Sequence, residues 1–479
     1  MNDLCFSPSH QLLEMQLHKK ISSEELLQVF RRQIERYNPI LNAVIATDFN
    51  AALLCAKQAD DYLQKNGKLM GSLHGLPTAV KDIFATNGLK TTHGDPTQRN
   101  HVPTHDDIVV ARERTAGAVI MGKTNTPYYA SGGITCNDVY GLTRNPWNTK
   151  KTTSGSGGGG VSALASGMVA YADGSDVAGS LRSPAAWTNN VGFRPSSGRL
   201  PGYSGTIADG GTSTAGVLAR CVKDAALFLQ ACDGPYAGSL VPYPKEIGTF
   251  KSGSGTIFQD TPASSIKNVK AAWIPVFAAQ TLDDEIATIF ADQKKVFESI
   301  VELEEINPNF INAYRACYPN YNVIEQVKAL PKRVIAESER ESDNSIKASV
   351  RSMIDRGRKM NALQVMETLN QRKALWIQVQ RFFDSHQVII SPTHPSLAFD
   401  AEDAAAEKSF DWADHYFAPM FGLPSISIPM GFTSDGMPCG LMITGRPGDD
   451  QWVLNVAHAY EQKTLFYEQR PDDDFFTNH

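Results

Sequence analysis

Apolar residues along this chain recur with helical spacing in some stretches and form short unbroken runs in others. Residues 22–37 show the first pattern, and Ser22 and Glu25 have the spacing of a capping box. These features predict a helix that ends before Pro39, because proline disfavours helical backbone in the residue before it. The apolar face of this helix consists of Leu26, Leu27, Phe30, Ile34 and Tyr37. The unbroken runs are typical of strands that are buried on both faces.

The same two patterns alternate along the rest of the chain. Further helices are predicted at 50–67, 106–117, 161–167, 216–232, about 281–303, about 361–384 and 450–462. Strands are predicted at 41–47, 76–84, 118–125, 167–175, 269–277, 387–393, 423–432 and 440–445. Strands that alternate with amphipathic helices predict an α/β fold with helices on both faces of the sheet. Since no low-complexity linker interrupts the alternation, one large domain over 1–479 is expected.

Charge and cysteine content narrow the classes of partner. The net charge of −6 and a pI near 6.0, with no Lys/Arg run longer than two residues, argue against binding to nucleic acid or to a membrane surface. Seven cysteines without CxxC spacing are expected to be free thiols. The N-terminal stretch has acidic and polar residues where a signal peptide needs a basic start and an apolar run, so a cytoplasmic location is expected.

Two motifs suggest ligand sites but have better structural explanations. Residues 117–124 match the phosphate-binding pattern GxxxxGK[ST], yet the four middle residues are apolar and predict a buried strand instead of a loop. His93, His101 and His105 lie in a polar stretch without the HxxxH spacing of a helical metal site, so a surface loop is the preferred interpretation. No GxSxG elbow is present, which removes the main support for a serine hydrolase with a histidine base.

Two serine- and glycine-rich stretches and one lysine remain as candidates for chemistry. In residues 172–187 a small-residue strand leads into a glycine-bearing turn and Ser180, where consecutive amides can form an oxyanion nest. Taken alone, Ser180 is either a nucleophile or a helix cap. Lys81 lies in an apolar strand, so it must pair with a carboxylate such as Asp82 or lose its proton and become a base.

Together these segments resemble the amidase signature family, in the run "SGSGGGGVSALASGMVAYADGSDVAGSLRSPA" and in flanking stretches that extend over most of the chain. The resemblance implies a central mixed sheet and a catalytic triad of Lys81, a cis-peptide serine at Ser156, and the nucleophile Ser180. It also implies an oxyanion hole formed by backbone amides, with no metal or organic cofactor. The amides map to Val177, Ala178, Gly179 and Ser180.

The family pattern further divides the chain into portions. These are an N-terminal helical portion at about 1–66, a signature core at about 67–232, a variable substrate-shaping region at about 233–380, and a C-terminal sheet and helix portion at about 381–479. Pocket walls are expected from 125–140, 233–265, 310–350 and 395–420, where the resemblance is weakest.

The chain departs from the family pattern at Ala178, where glycine is usual, and this narrows the expected pocket. In having alanine at this position, the chain is similar to cyclic-dimer nylon-oligomer hydrolases. The resemblance implies an amidase that hydrolyses the carbon–nitrogen bond of a small-molecule amide, linear or cyclic, and a homodimer is an open expectation. Two alternatives remain: a glutaminase-type subunit of a tRNA-dependent amidotransferase, and a catalytically weak binding relative.

Overall fold

An eleven-stranded mixed sheet forms the centre of the protein in a computed structural model that describes residues 4–200, 211–244, 266–278, 281–339 and 346–472. Two short strands, Cys136–Asn137 and Gly141–Leu142, pair with each other outside this sheet. The described strands are β1 Val44–Ile45, β2 Pro77–Lys81, β3 Val119–Thr124, β4 Cys136–Asn137, β5 Gly141–Leu142, β6 Tyr171–Asp176, β7 Val191–Arg194, β8 Thr214–Ala219, β9 Lys270–Trp273, β10 Glu302–Glu305, β11 Val388–Pro392, β12 Ser425–Phe432 and β13 Pro438–Gly445.

The sheet carries helices on both faces. Strands β2, β3, β6, β8 and β13 are buried at every position, which requires cover on each side of the sheet. The described helices are α1 Ser9–Leu17, α2 Ser23–Leu41, α3 Phe49–Asn66, α4 Ile108–Thr115, α5 Gly158–Ala165, α6 Arg182–Ala186, α7 Val222–Cys232, α8 Asp284–Glu298, α9 Ile311–Lys328, α10 Lys332–Glu337, α11 Ala348–Lys359, α12 Ala362–Ser385, α13 Ala404–Ser409, α14 Ala413–Phe421 and α15 Asp450–Thr464.

The strand order is β1-β3-β2-β6-β8-β7-β12-β13-β11-β9-β10. Pairing is parallel from β3 through β2 to β6, and again from β11 through β9 to β10. The strands between these groups pair antiparallel. The α/β fold and the mixed sheet expected from the sequence are therefore confirmed. Because β3, β2 and β6 run in the same direction, the segments that follow them emerge at one edge of the sheet.

Two predicted element boundaries are wrong. Helix α2 begins with the predicted Ser22–Glu25 capping box but continues through Pro39. Pro39 lies in the last turn, where its missing N–H removes a single helical hydrogen bond, and the Asn42 N–H donates to the Asn38 carbonyl at 2.8 Å to close the helix. The predicted helix at 216–232 contains the end of strand β8, because a short apolar run fits a buried strand as well as a helix.

The GxxxxGK[ST] match lies in a strand and the histidine group lies in loops, as the sequence predicts, with one exception. Strand β3 contains most of the GxxxxGK[ST] match, and Lys123 Nζ donates to the Thr86 hydroxyl at 2.8 Å. His93 is the exception, because its ring stacks on Tyr129 and its Nδ1 is buried, whereas His101 is exposed. No helix among the described residues is long and apolar enough to cross a membrane.

Candidate active site

The candidate site lies at the edge where parallel strands β3, β2 and β6 end. Lys81 is the last residue of β2 and is in register with Thr124, the last residue of β3. Strand β6 ends at Asp176, and the loop that follows it carries Ser180. In open α/β sheets, sites form outside the carboxyl ends of the strands, where the following loops converge.

The amine of Lys81 is sealed from water and held between two hydroxyls. Its side chain is 1% exposed, and Nζ lies 2.7 Å from Ser156 Oγ and 3.3 Å from Ser175 Oγ. Burial lowers the pKa of Lys81 to about 7, even though the nearby carboxylates Asp173 and Asp176 oppose the shift. A large fraction of this amine is therefore uncharged at neutral pH and able to accept a proton.

The loop before α5 presents Ser156 to this amine. The Gly155–Ser156 peptide bond is cis, and the Thr126 hydroxyl, just after β3, donates to the Ser156 carbonyl at 3.1 Å. The Gly157 N–H donates to the Ser180 carbonyl at 3.1 Å. A Cβ at position 157 would lie 2.5 Å from that oxygen, so only glycine allows the two loops to approach so closely. The structure thus brings Lys81, Ser156 and the Ser180 backbone together.

The loop from Val177 to Ser180 forms a turn with free amides. The amides of Val177, Ala178 and Ser180 have no hydrogen-bond acceptor among the described residues, whereas the Gly179 N–H donates to Asp176 Oδ1 at 2.9 Å. Of the four amides expected in an oxyanion hole, three are therefore available to a ligand.

The backbone of this loop explains which residues it accepts. Ala178 is not among the residues with positive φ, so alanine is accommodated where the family pattern has glycine. Gly179 has φ +91°, and a Cβ there would lie 2.5 Å from the His415 ring. Glycine is therefore needed at position 179 for both its conformation and its contact.

A fully buried ion pair holds this turn in place. Arg182 Nε donates to Asp176 Oδ2 and Arg182 Nη2 to Asp176 Oδ1, each at 3.0 Å. Burial alone would raise the pKa of Asp176, but the charge and hydrogen bonds of Arg182 outweigh it and lower the pKa below its usual range. The same carboxylate accepts the N–H of Leu181 at 3.2 Å, so it ties both ends of the turn together.

Sequence reasoning missed Ser175, Asp173 and the Asp176–Arg182 pair. Asp173 Oδ1 accepts the Lys81 N–H at 2.8 Å, and its Oδ2 is buried with no partner among the described residues. Burial raises the pKa of this carboxyl. The signal was present, because polar residues inside the buried strand "YADGSD" need a reason to be there.

Two buried histidines lie behind the site without serving as its base. His394 Nε2 is 3.1 Å from Ser183 Oγ, which in turn is 2.6 Å from Ser154 Oγ. Burial lowers the pKa of His394 to about 3, and burial together with His394 and Arg182 lowers that of His415 well below its usual range. Both rings are therefore neutral. The group of metal-ligating side chains found among the described residues, His10 with Cys221 and Asp224, contains no residue of this site.

The turn that carries Ser180 borders an apolar cluster. Val177 and Ala178 pack against a buried cluster that includes residues from 310–350 and 395–420, two of the four segments expected to form pocket walls. Residues 245–265 and 340–345 of those segments lie outside the described residues. The aromatic members of the cluster are Phe277, Phe310, Tyr314, Tyr321, Phe383, Tyr416, Phe417 and Phe421.

The mixed-sheet α/β fold and the contact between Lys81 and Ser156 match the class of protein that the amidase signature resemblance predicts. Consistent with this class, a family model described as Amidase matches residues 25–454. The chain belongs to this family.

Relatives in the family include both amidotransferase components and amidases. A glutamyl-tRNA(Gln) amidotransferase component of Synechococcus sp. (strain CC9605) is 32% identical over 477 residues, which are 95% of each chain. An acylamidase of Rhodococcus erythropolis is 28% identical over 466 residues, which are 95% of this chain and 94% of the relative. The acylamidase relative supports hydrolysis of amide bonds as the activity of this chain.

Solved structures agree on the fold. A bacterial aryl acylamidase of the amidase signature family superposes with a TM-score of 0.84 at 22% identity over 99% of both chains. A 6-aminohexanoate cyclic dimer hydrolase superposes with a TM-score of 0.82 at 24% identity, again over 99% of both chains. At this identity the likeness shows the amidase signature fold.

Removing Arg182 tests the support of the turn. The Arg182→Leu variant leaves the Asp176 carboxylate buried without its counter-charge, which is expected to lower the free energy of unfolding by about 3–5 kcal/mol. Denaturant unfolding followed by circular dichroism measures the loss. Arg144→Leu is the matched control, because Arg144 pairs with the exposed Glu402 at the surface and its loss is expected to cost only ~0–1 kcal/mol. Equal losses in the two variants would contradict the role given to Arg182.

Proposed function

We propose that this protein is an amidase that hydrolyses the carbon–nitrogen bond of a small-molecule carboxamide through a covalent acyl-Ser180 intermediate. The observation that carries the proposal is the buried amine of Lys81, 2.7 Å from Ser156 Oγ, with its pKa lowered to about 7 by burial. Ser156 belongs to the loop that is hydrogen-bonded, through Gly157, to the backbone of Ser180. A base, a relay hydroxyl and a nucleophile are thus supplied by three adjoining segments.

In the acylation step, Ser180 Oγ attacks the amide carbonyl carbon while its proton passes to Ser156 Oγ, whose own proton passes to Lys81 Nζ. The oxygen of the tetrahedral intermediate is stabilised by the free amides of Val177, Ala178 and Ser180. Lys81 then returns the proton through Ser156 to the leaving nitrogen, the carbon–nitrogen bond breaks, and the amine departs.

Deacylation repeats the relay with water in place of Ser180. Water attacks the acyl ester, its proton passes through Ser156 to Lys81, and the carbon–oxygen bond to Ser180 breaks as Ser180 recovers a proton. The carboxylic acid is released. The two steps together use groups of this chain and one water molecule. The seven cysteines are free thiols, which favours a reducing compartment, so a cytoplasmic location is part of this proposal.

The apolar cluster behind Val177 and Ala178, taken here as one wall of the substrate pocket, favours an apolar or aromatic group on the substrate. Val177 and Ala178 present only hydrocarbon to the adjoining cluster, and that cluster is rich in aromatic rings. A ring or alkyl chain gains free energy by leaving water against such a surface. We infer that aryl or apolar acyl amides are preferred over small polar ones.

A glutaminase component of an amidotransferase is the competing proposal, and the 32% identity to such a protein favours it. Glutamine carries an ammonium and a carboxylate, which need charged or polar partners in a pocket. The side chains of the Val177–Ala178 wall are neither charged nor polar. This speaks for the amidase, and the substrate assay below distinguishes the two.

Variants of the triad test the acyl-enzyme mechanism. Ser180→Ala is expected to abolish acylation by a serine-directed fluorophosphonate, measured as the mass increase of the intact protein. Lys81→Met is expected to slow acylation by about 10²–10⁴-fold, since the general base is lost. Ser156→Ala should slow it by a smaller factor. Lys123→Met is the matched control, because Lys123 is equally buried in the neighbouring strand but its amine bonds Phe84 and Thr86. Acylation at the wild-type rate in Lys81→Met would refute the assignment.

The titration of Lys81 predicts the pH dependence. The amine accepts a proton only when neutral, and its neutral fraction grows as the pH rises through its pKa of about 7. We therefore expect kcat/KM for an amide substrate to rise with pH along a sigmoid whose midpoint lies near 7. Steady-state rates in buffers of constant ionic strength measure the curve. A profile that stays flat across neutral pH would contradict a lysine base.

A panel of amides tests the substrate class. Purified protein is expected to hydrolyse anilides and amides of apolar acids with higher kcat/KM than acetamide, and to release no ammonia from glutamine with or without added amidotransferase partner proteins. The Ala178→Gly variant removes one methyl group from the wall, and since one such group changes discrimination by about tenfold or more, bulkier acyl groups should gain relative to small ones. Glutamine hydrolysis that depends on a partner would support the amidotransferase instead.

A further inference from the structure

Three side chains that can bind metal converge where helix α1 meets helix α7. His10 lies at the start of α1, Cys221 precedes α7, and Asp224 is in the first turn of α7. His10 Nδ1 is 2.9 Å from Asp224 Oδ1 and 3.8 Å from Cys221 Sγ, and the three atoms all lie within 4.8 Å of one another. None of these residues takes part in the chemistry proposed above.

We propose that His10, Cys221 and Asp224 bind one zinc-like divalent cation that links α1 to α7. Imidazole nitrogen, thiolate sulfur and carboxylate oxygen are together a ligand set that zinc accepts and that hard cations such as magnesium do not. The three atoms come from two helices and approach one point, as the ligands of a single metal ion must.

The separations fit a tetrahedral ion after small shifts. Zinc bond lengths of about 2.0 Å to nitrogen or oxygen and about 2.3 Å to sulfur place the nitrogen and oxygen about 3.3 Å apart, and the nitrogen and sulfur about 3.6 Å apart. The distances in the structure are 2.9 Å and 3.8 Å. Movements of a few tenths of an ångström of the His10 ring, whose side chain is 25% exposed, are sufficient.

The charges around the cluster favour a cation. The Asp224 side chain is fully buried, and a second buried carboxylate, Glu461, accepts the Val222 N–H at 2.8 Å. A divalent cation would offset the charge of these carboxylates, and Cys221 would bind it as a thiolate whose proton passes to solvent.

The positive charge of nearby Arg220 acts on Asp224 and Cys221, but its hydrogen bonds go to other groups. The guanidinium of Arg220 donates to the backbone carbonyls of Leu164, Cys5 and Val169. Asp224 uses Oδ2 for the Ser9 N–H and Oδ1 for the His10 N–H. A carboxylate oxygen has two lone pairs, so Oδ1 keeps one for a metal while it caps α1.

A cavity of about 270 Å³ lies close to the cluster, although none of the three proposed ligands lines it. It is lined by Pro8 and Gln11, which lie near His10 in sequence, and by Arg220, the neighbour of Cys221. The His10 side chain is 25% exposed, so water can reach the cluster from this side and complete a four-coordinate ion.

Cobalt(II), which substitutes for zinc and reports its ligands by colour, tests the site in the full-length protein. After chelator treatment and dialysis, titration with Co²⁺ is expected to saturate at one ion per chain and to produce a near-ultraviolet sulfur-to-cobalt charge-transfer band. Zn²⁺ should displace the cobalt and raise the melting temperature. Failure to bind either ion, or binding without the charge-transfer band, would overturn the proposal.

Two variants assign the ligands. Cys221→Ser is expected to remove the charge-transfer band, and His10→Asn to weaken Co²⁺ binding by about tenfold or more while amide hydrolysis is unchanged. Since Cys221 is buried and its variant can fail to fold, the partly exposed His10 keeps the test decisive. Cys55→Ser, on half-buried Cys55 of α3, is the matched control and should bind as the wild type does. An unchanged band in Cys221→Ser, or unchanged affinity in His10→Asn, would refute the site.

Discussion

The desolvation of one lysine amine is the constraint on which the site depends. Water stabilises an ammonium strongly, and a lysine that keeps its full hydration is charged at neutral pH and cannot accept a proton. Lys81 loses that hydration because β2 lies inside the sheet and helices cover both of its faces. The Ser156 and Ser175 hydroxyls replace water only in part. The large α/β scaffold is therefore what keeps a large fraction of this amine uncharged at neutral pH.

The topology explains why these groups meet although they are far apart in sequence. Strands β3, β2 and β6 are parallel neighbours, so the residues after each of them reach the same edge. Thr126 after β3 holds the Ser156 loop, Lys81 ends β2, and the turn after β6 carries Ser180. Antiparallel strands at these positions would send alternate loops to opposite edges. The parallel triplet is thus the part of the mixed sheet on which function rests.

Sequence patterns predicted most of this architecture where periodicity was strong, as in α2, α3 and β12, and failed where it was ambiguous. Residues 216–219 of strand β8 were taken for the start of a helix because four apolar residues are too few to show a period, and only pairing with β6 and β7 decides their conformation. The triad residues were reached through the family resemblance, whereas Ser175 and Asp173 were missed because their roles depend on contacts with Lys81. His10 and Cys221 are 211 positions apart, and no sequence spacing could have joined them.

The neutral form of Lys81 also depends on how the charges of the two nearby carboxylates are compensated. Asp173 and Asp176 both favour its ammonium form, and a free carboxylate at either position would hold the amine protonated. Arg182 binds both oxygens of Asp176, so its positive charge opposes the field of that carboxylate at Lys81. Asp173 has no arginine partner within the described part of the chain, and burial raises its pKa to about 6. The ion pair that holds the turn at Val177–Ser180 therefore also favours the neutral form of Lys81, which links the geometry of the proposed nucleophile to the protonation state of the proposed base.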